Sequence, residues 1–492
     1  MRLIRFGLAS LSAWILLAGQ EKASWSGFSR DAQHDAISSI ASQAIGRIRW
    51  QTPVDLAPQY EGTALLIHYG SPLVTAGNTV LVPVKTDTIG TFQVEARNGS
   101  DGSLKWSLLT DYTLPPHDWV PIFGPVLGRG QRLYFPGAGG TVYYRDDPDA
   151  EDGAVGQIAF YGLDNYLSAR STFDANVIIN TPLTADRQGN VYFGFVVFGD
   201  VPLGLAGGIA RIGADGTGTW ISAAAAVSDP AIGEVVTNSA LALSPDGSLV
   251  YAAVSDGLAG YLVALDSTNL TPRAWVGLID PATGLLARLN DNGSASPSIG
   301  PDGDVYIGVL ESSFENHDRG WLLHFDAGLA QSKTPGAFGW DTTASVVPVV
   351  MAPAYNGASP YLLMTKYNDY IEGGGSGFNR IAILDPNDSE PDPVTGVAVM
   401  KVVQAVAAPT PDGPPPAVKE WCINSAAVDP GTGSILAGNS DGLLYRWDLR
   451  ANTLTERIVL TPGLGEAYTP TLIGADGTVY AINNATLFAV GP

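Results

Sequence analysis

One phrase recurs along the chain at a spacing that leaves few folds open. It reads SPSIGPDGDVYIG at Ser296–Gly308, TPLTADRQGNVYFG at Thr181–Gly194, LALSPDGSLVYAA at Leu241–Ala253 and TPTLIGADGTVYAI at Thr469–Ile482. Each copy holds a short apolar strand, a turn whose Gly accepts the positive φ of a tight hairpin, and a return strand that carries Val-Tyr. Taking the residue that opens the first strand as a marker gives eight copies, near Ser71, Gly124, Thr181, Ser239, Ser296, Val347, Ser425 and Thr469. Pro follows six of them, as Pro72, Pro125, Pro182, Pro297, Pro348 and Pro470. A residue without an N–H sits at the start of a strand at no loss to the ladder. A period of roughly fifty to sixty residues is that of a solenoid or propeller.

The rest of each copy chooses between the two. A third strand alternates toward an Asp, as at Tyr261 to Asp266, Trp321 to Asp326, Arg380 to Asp385 and Leu444 to Asp448. After a short turn, a fourth strand is marked by Trp106, Trp220 or Trp275. Four antiparallel strands per repeat make a propeller blade. The eighth copy has three strands, at Pro470 to Ile473, Thr478 to Ile482 and Thr486 to Val490, and then the sequence ends. Gly46 to Trp50 has the pattern of the missing fourth strand, and pairing it there closes the ring without an open edge. The expected fold is all-β: an eight-bladed propeller of four-stranded antiparallel blades, closed by an N-terminal strand on the last blade.

The segment WSGFSRDAQH at Trp25–His34, then Trp50, then repeats of Asp-Gly-x-Val-Tyr, Leu-Asp and Trp, resemble the quinoprotein-like propellers with PQQ-like repeats. The resemblance runs from about Trp25 to the C-terminus. That family holds both quinone-dependent dehydrogenases and cofactor-free scaffold proteins of the outer-membrane assembly type. For a dehydrogenase it implies PQQ lying over a Trp, calcium held by acidic and amide side chains, and an Asp base. The adjacent cysteine pair usual in the alcohol dehydrogenases cannot exist here, because Cys422 is the chain's one cysteine. That departure favours the cofactor-free subclass.

The single cysteine also excludes an intramolecular disulfide and thiolate metal clusters. Arg2 and Arg5 followed by the apolar run Phe6 to Gly19 read as an export signal over residues 1–23, too short to span a bilayer. Gln20 stands where a lipoprotein signal needs its Cys, so no lipid anchor is expected there. Residues 24–492 are read as one propeller domain, monomeric, exported to the periplasm or outside, and without a membrane span. A net charge of −22 repels phosphate backbones, so nucleic acid is not an expected partner.

In a meander of four strands the 1–2 and 3–4 turns share one face; the 2–3 loops and the blade-to-blade 4–1 segments share the other. The long segments, Arg145 to Asp152, Glu311 to Asp318, Tyr367 to Gly377 and the Pro-rich Pro409 to Trp421, are assigned to the second face, where binding on a rigid scaffold usually resides. Runs just ahead of the first strands point at the axis from that face. They supply the candidate ligand-binding residues His68, Tyr69, His117, Asp118, Trp119, Asn180, Asn238, Glu420, Trp421 and Tyr468. Hard oxygens at Asp146, Asp147, Asp149 and Asp152 are the candidate metal ligands, without an EF-hand spacing. Asp385 to Asp392, punctuated by Pro386 and Pro391, reads as an extended linker. His324 reads as a packed core histidine.

No nucleophile elbow or zinc-protease helix is present, and no catalytic residue is assigned. The leading reading is a binding or scaffold propeller that needs no cofactor and takes a protein partner or a glycan on its long-loop face. A PQQ- and calcium-dependent dehydrogenase is the alternative. A glycan-active hydrolase or lyase, with Tyr367 to Glu372 as the place to look, is the second.

Overall fold

The computed structural model describes residues 25–62, 64–65, 69–114, 123–289, 295–312, 319–338, 340–371, 374–463 and 468–492. Eight antiparallel sheets stand as blades around one axis. Counted outward, blade 1 is Leu73–Val74, Thr79–Lys85, Thr91–Asn98 and Leu104–Thr113; blade 2 is Val126–Leu127, Leu133–Pro136, Thr141–Arg145 and Val155–Ala159. In blades 3 and 4 the inner strand comes in two pieces. Val177–Ile179 and Thr184–Ala185 both pair Val191–Val197, and Glu234–Val235 and Ala242–Leu243 both pair Leu249–Ser255. Blade 3 goes on to Gly208–Ile212 and Gly218–Ser222, and blade 4 to Gly260–Asp266 and Pro272–Gly277. Blade 5 has Ser298–Ile299, Val305–Leu310 and Gly320–Phe325; its outer edge is reduced to the bridges Leu322–Gly336 and Phe325–Ser332.

Blade 6 contains Ser345–Pro348, Tyr361–Tyr367, Arg380–Pro391 and Ala398–Ala407. Two expectations are corrected there. Pro348 ends the inner strand, paired with Tyr361, instead of opening it, so the blade's marker lies ahead of Ser345 and not at Val347. Asp385 to Pro391 is no linker: past an irregularity the strand resumes with Ser389 opposite Met400 and Pro391 opposite Ala398. Blade 7 contains Ala427–Asp429, Ser434–Gly438, Leu443–Asp448 and Thr453–Val459. Blade 8 takes Leu472–Ile473, Val479–Asn483 and Thr486–Gly491 from the C-terminus and Arg47–Pro53 from the N-terminus, which closes the ring in the register Arg47–Gly491 to Pro53–Thr486.

The repeated letters are contacts between blades. Tyr192, Tyr251, Tyr306 and Tyr480 are fully buried on second strands, and each hydroxyl reaches the next blade. Tyr192 donates to the Ser267 carbonyl at 2.9 Å, Tyr251 to that of Ala327 at 2.6 Å and Tyr480 to that of Gly99 at 3.3 Å, all in 3–4 turns. The Tyr306 hydroxyl meets that of Tyr361 at 2.6 Å. Outer-strand tryptophans do the same from further out: Trp106 Nε1 donates to Pro148 and Trp50 Nε1 to Gly99.

A strap ahead of the closing strand crosses the face that carries the 1–2 turns. Its carbonyls take N–H groups from the inner strands: Trp25 from Val74, Ser26 from Leu127, Ala32 from Leu243, Gln33 from Ile299, Asp35 from Val346 and Ala36 from Val428. Phe28 and His34, edge to face at 5.2 Å, are buried beneath it. The inner-strand edges of blades 1, 2, 4, 5, 6 and 7 are thus paired on this face.

Candidate binding face

The long-loop face is built on the residues that open the inner strands. Their small hydroxyl side chains bind one blade to the next around the axis. Thr184 Oγ1 donates to Leu241 O at 2.6 Å and Ser239 Oγ to Ala295 O at 2.9 Å. Ser296 Oγ accepts from Ala240 N, Thr343 Oγ1 from Ser296 N, and Ser345 Oγ donates to Ala426 O. Of the residues that head the repeated phrase, Ser239 and Ser296 belong to this belt, while Ser71 and Thr181 turn back to Pro72 O and Pro182 O. Between it and Phe28 the axial space, lined also by Tyr69, Asn238, Asn424 and Tyr468, is about 20 Å³, room for about one water molecule.

Beside this space, between blades 5 and 8, lies a buried polar cluster. Asp341, in the linker entering blade 6, forms an ion pair with Lys366 near the end of that blade's second strand; the two side chains are 6% and 1% exposed. Lys366 Nζ lies 5.6 Å from the centre of the Trp340 ring and 5.8 Å from that of Tyr468, within cation–π range. The Asp341 carbonyl accepts from Tyr468 Oη at 2.8 Å and Asn424 Nδ2 at 3.4 Å. Burial pushes the Asp341 carboxyl up, Lys366 opposes it, and the nearby charge of Glu420 adds to the rise. Trp340 Nε1, Thr342 Oγ1, Asn424 Oδ1 and Thr469 Oγ1 are buried with no partner among the described residues, so the cluster presents both donors and acceptors that water or a polar ligand can satisfy.

Of the residues expected at the mouth, Tyr69, Asn238 and Tyr468 line the axial space. Tyr69 also donates to Asp55 Oδ2 at 2.8 Å, and Asp55 in turn pairs with buried Lys85 at 3.1 Å. Asn180 turns away to clip blade 4 through Val235 O and Thr237 Oγ1. Glu420 is half-buried, its carbonyl holding Ser440. Trp421 is packed between blades 6 and 7 against Tyr445, its backbone N–H donating to Asn368 Oδ1. His68, His117, Asp118 and Trp119 lie outside the described residues. Tyr367 and Tyr370 are buried against Phe338. His324 is indeed packed in the core, stacked on Tyr306 and bonded to Asp304.

The segment Arg145 to Asp152 is on the other face, a correction to its expected place. It joins the third and fourth strands of blade 2, and 3–4 turns emerge beside the strap. Its carboxylates go to separate partners: Asp146 to Arg132 at 2.6 Å, Asp149 to Thr75 Oγ1 at 2.5 Å, Asp152 near Arg145, while Asp147 turns the chain with φ 49°. Among the described residues no group of three or more His, Cys, Asp or Glu is arranged to hold a metal ion.

Asp341 and Lys366 were missed in the sequence, although a lone Lys inside YLLMTKY was a readable signal. The quinone and calcium that the family resemblance implies do not fit the described residues at the mouth. Trp421 is enclosed in the packing and offers no open ring face, and the Asp341 carboxylate is held by an ammonium.

No protein-family model matches the chain, and no curated protein matches it. Among solved structures it is similar to a europium-containing methanol dehydrogenase, with a TM-score of 0.58 and 12% identity over 94% of this chain and 89% of that one. It is also similar to the quinohemoprotein alcohol dehydrogenase from Comamonas testosteroni, with a TM-score of 0.56 and 12% identity over 95% of this chain and 80% of that one. Identity this low speaks for fold alone. The chain has the fold of the quinoprotein-like eight-bladed propellers with PQQ-like repeats.

Proposed function

We propose that the protein is an exported binding or scaffold propeller that works through its long-loop face and uses no cofactor. One observation carries this reading. Among the described residues the axial space over Phe28 is about 20 Å³, while the long segments that include Tyr367 to Ile371 and Pro409 to Trp421 lie on one face, beside the Asp341–Lys366 cluster. A surface of long segments on a rigid ring suits a protein partner or a glycan, and aromatic rings beside unpartnered polar atoms suit either. The N-terminal export pattern of the sequence supports work outside the cytoplasm, in the periplasm or beyond. No helix among the described residues is long and apolar enough to cross a membrane.

The test is thermal unfolding of the protein with calcium, with PQQ plus calcium, and after chelation. A ligand at a hundred times its dissociation constant adds about 2.7 kcal/mol. No shift in any arm, with glycan or protein binding that is lost when Tyr468→Ala alters the mouth, is the expected result. A rise that needs both PQQ and calcium overturns the reading in favour of a dehydrogenase.

A further inference from the structure

The strap does not treat all blades alike. It accepts an N–H from Leu127 of blade 2 and from Leu243 of blade 4, each at 2.7 Å, but the corresponding residue of blade 3, Ala185, receives no strap bond. Between those contacts the strap turns on itself: Gly27 and Arg30 bond reciprocally at 3.2 Å, and Ser29 and Arg30 have φ of 47° and 86°. The gap left under blade 3 is an open cavity of about 660 Å³, the size of a small-molecule site.

Three arginines converge on it: Arg30 from the strap, Arg129 from the first turn of blade 2 and Arg187 from that of blade 3. Arg30 spends a single nitrogen, Nη1, on Asp31 and Asp35, at 2.6 and 3.1 Å; its remaining N–H groups make no hydrogen bond among the described residues. Arg129 and Arg187 are exposed and form no ion pair among the described residues, although acidic residues outnumber basic ones 48 to 26. The Arg129 stem lies over Gly189, 3.3 Å from where a Cβ would stand, which sets the two guanidinium groups on neighbouring turns. The three carboxylates in the same wall keep their charge, but their oxygens already accept hydrogen bonds from other groups. Asp31 holds Arg30 and the Gln33 N–H; Asp186 holds Gln188 N, Asn190 and Tyr192; Asp246 holds Ser244 and Ser248. What remains toward the cavity is an excess of planar donors, the geometry that pairs with carboxylate or phosphate oxygens.

We infer that the gap between the strap and blade 3 is a binding site for a small multivalent oxyanion, one bearing carboxylate or phosphate groups, held by Arg30, Arg129 and Arg187. This site lies on the face opposite the one that carries the proposed function and does not depend on it.

Isothermal titration at constant ionic strength tests it, with citrate in one arm, inorganic phosphate in a second and sodium chloride in a third. The wild type is expected to give one saturable site with citrate or phosphate and none with chloride; which oxyanion binds tells carboxylate from phosphate. The double variant R129Q/R187Q, altered only at exposed side chains and expected to unfold as the wild type does, should weaken that binding at least about tenfold through the loss of charge-assisted bonds. The inference is overturned if neither oxyanion gives saturable heat, or if the double variant binds as the wild type does.

Discussion

Asp341 and Lys366 form an ion pair from which water is almost excluded, and Asp55 and Lys85 repeat it at 3.1 Å in blade 1. In each case the Asp stands in the linker entering a blade and the Lys at or near the end of that blade's second strand. Breaking such a pair leaves an uncompensated buried charge, which costs about 3–5 kcal/mol. K366M or D341N alone should therefore lower the unfolding free energy by that amount in urea titrations. The pair K366M/D341L should recover most of it, because apolar replacements of both partners leave no charge behind. A double variant as unstable as the singles would show that the pair does more than fasten the entering linker to its blade.

Ring closure rests on Trp50 in the N-terminal strand of blade 8. Its indole packs against Tyr480 at 5.6 Å and donates to Gly99 O at 3.0 Å, 8% exposed. Truncating a buried Trp costs about 3–5 kcal/mol, so W50A should destabilise by that much. Trp275 of the outer strand of blade 4 lies one register position away, opposite Val263, and is 45% exposed; W275A should cost far less. Equal losses would mean that the closing strand is no more important than any outer strand.

Two buried groups of the strap should oppose each other in acid. Burial holds His34 down at about 4, its Nδ1–H donating to Pro297 O at 2.7 Å. Its folded pKa is depressed, so the stability tied to its neutral form is complete above about 6.5 and is lost as pH falls toward 4, on the order of 3 kcal/mol in all. Burial and the charge of Asp31 raise Asp35 to about 7, so its contribution is complete below about 4 and is lost as pH rises toward 7. The wild-type profile should accordingly be shallow between those limits. H34N, which keeps a residue tolerant of φ 58°, should lose stability as pH rises through this window. D35N should lose it as pH falls. Denaturant unfolding at a series of pH values reads both slopes.

The sequence carried the fold because each element of the repeat is a local signal: Pro at a strand start, Gly in a hairpin, alternation in the third strand. The closing strand was legible for the same reason, as the fourth strand missing from blade 8. The strap was not. Trp25 to Ile37 has no strand periodicity, and its bonds go to residues as distant as Val428, a pairing that no local pattern encodes. Arg145 to Asp152 was assigned to the wrong face because strands Thr141–Arg145 and Val155–Ala159 of blade 2 were not identified. A long polar loop reads the same whether it follows a second strand or a third. Asp341 and Lys366 are brought together by the hairpin of Ser345–Pro348 and Tyr361–Tyr367 within blade 6, and a single linker Asp carries no period that announces its partner.

The Val-Tyr of the second strand recurs in four blades, and its bonds to the next blade assign it a measurable value. Tyr192, Tyr251 and Tyr480 each end on a carbonyl of the following blade's 3–4 turn. A Phe at each site keeps the buried ring and removes only the hydroxyl, so each substitution should cost about 1 kcal/mol. The three sites lie in different blades and share no partner, and their costs should add within about 0.5 kcal/mol. Unfolding of the triple variant Y192F/Y251F/Y480F in urea measures the sum. A total near 3 kcal/mol assigns the tyrosine to inter-blade fastening. A total near zero would leave the buried ring as the reason for its repetition, with the hydroxyl as well satisfied by water as by the next blade.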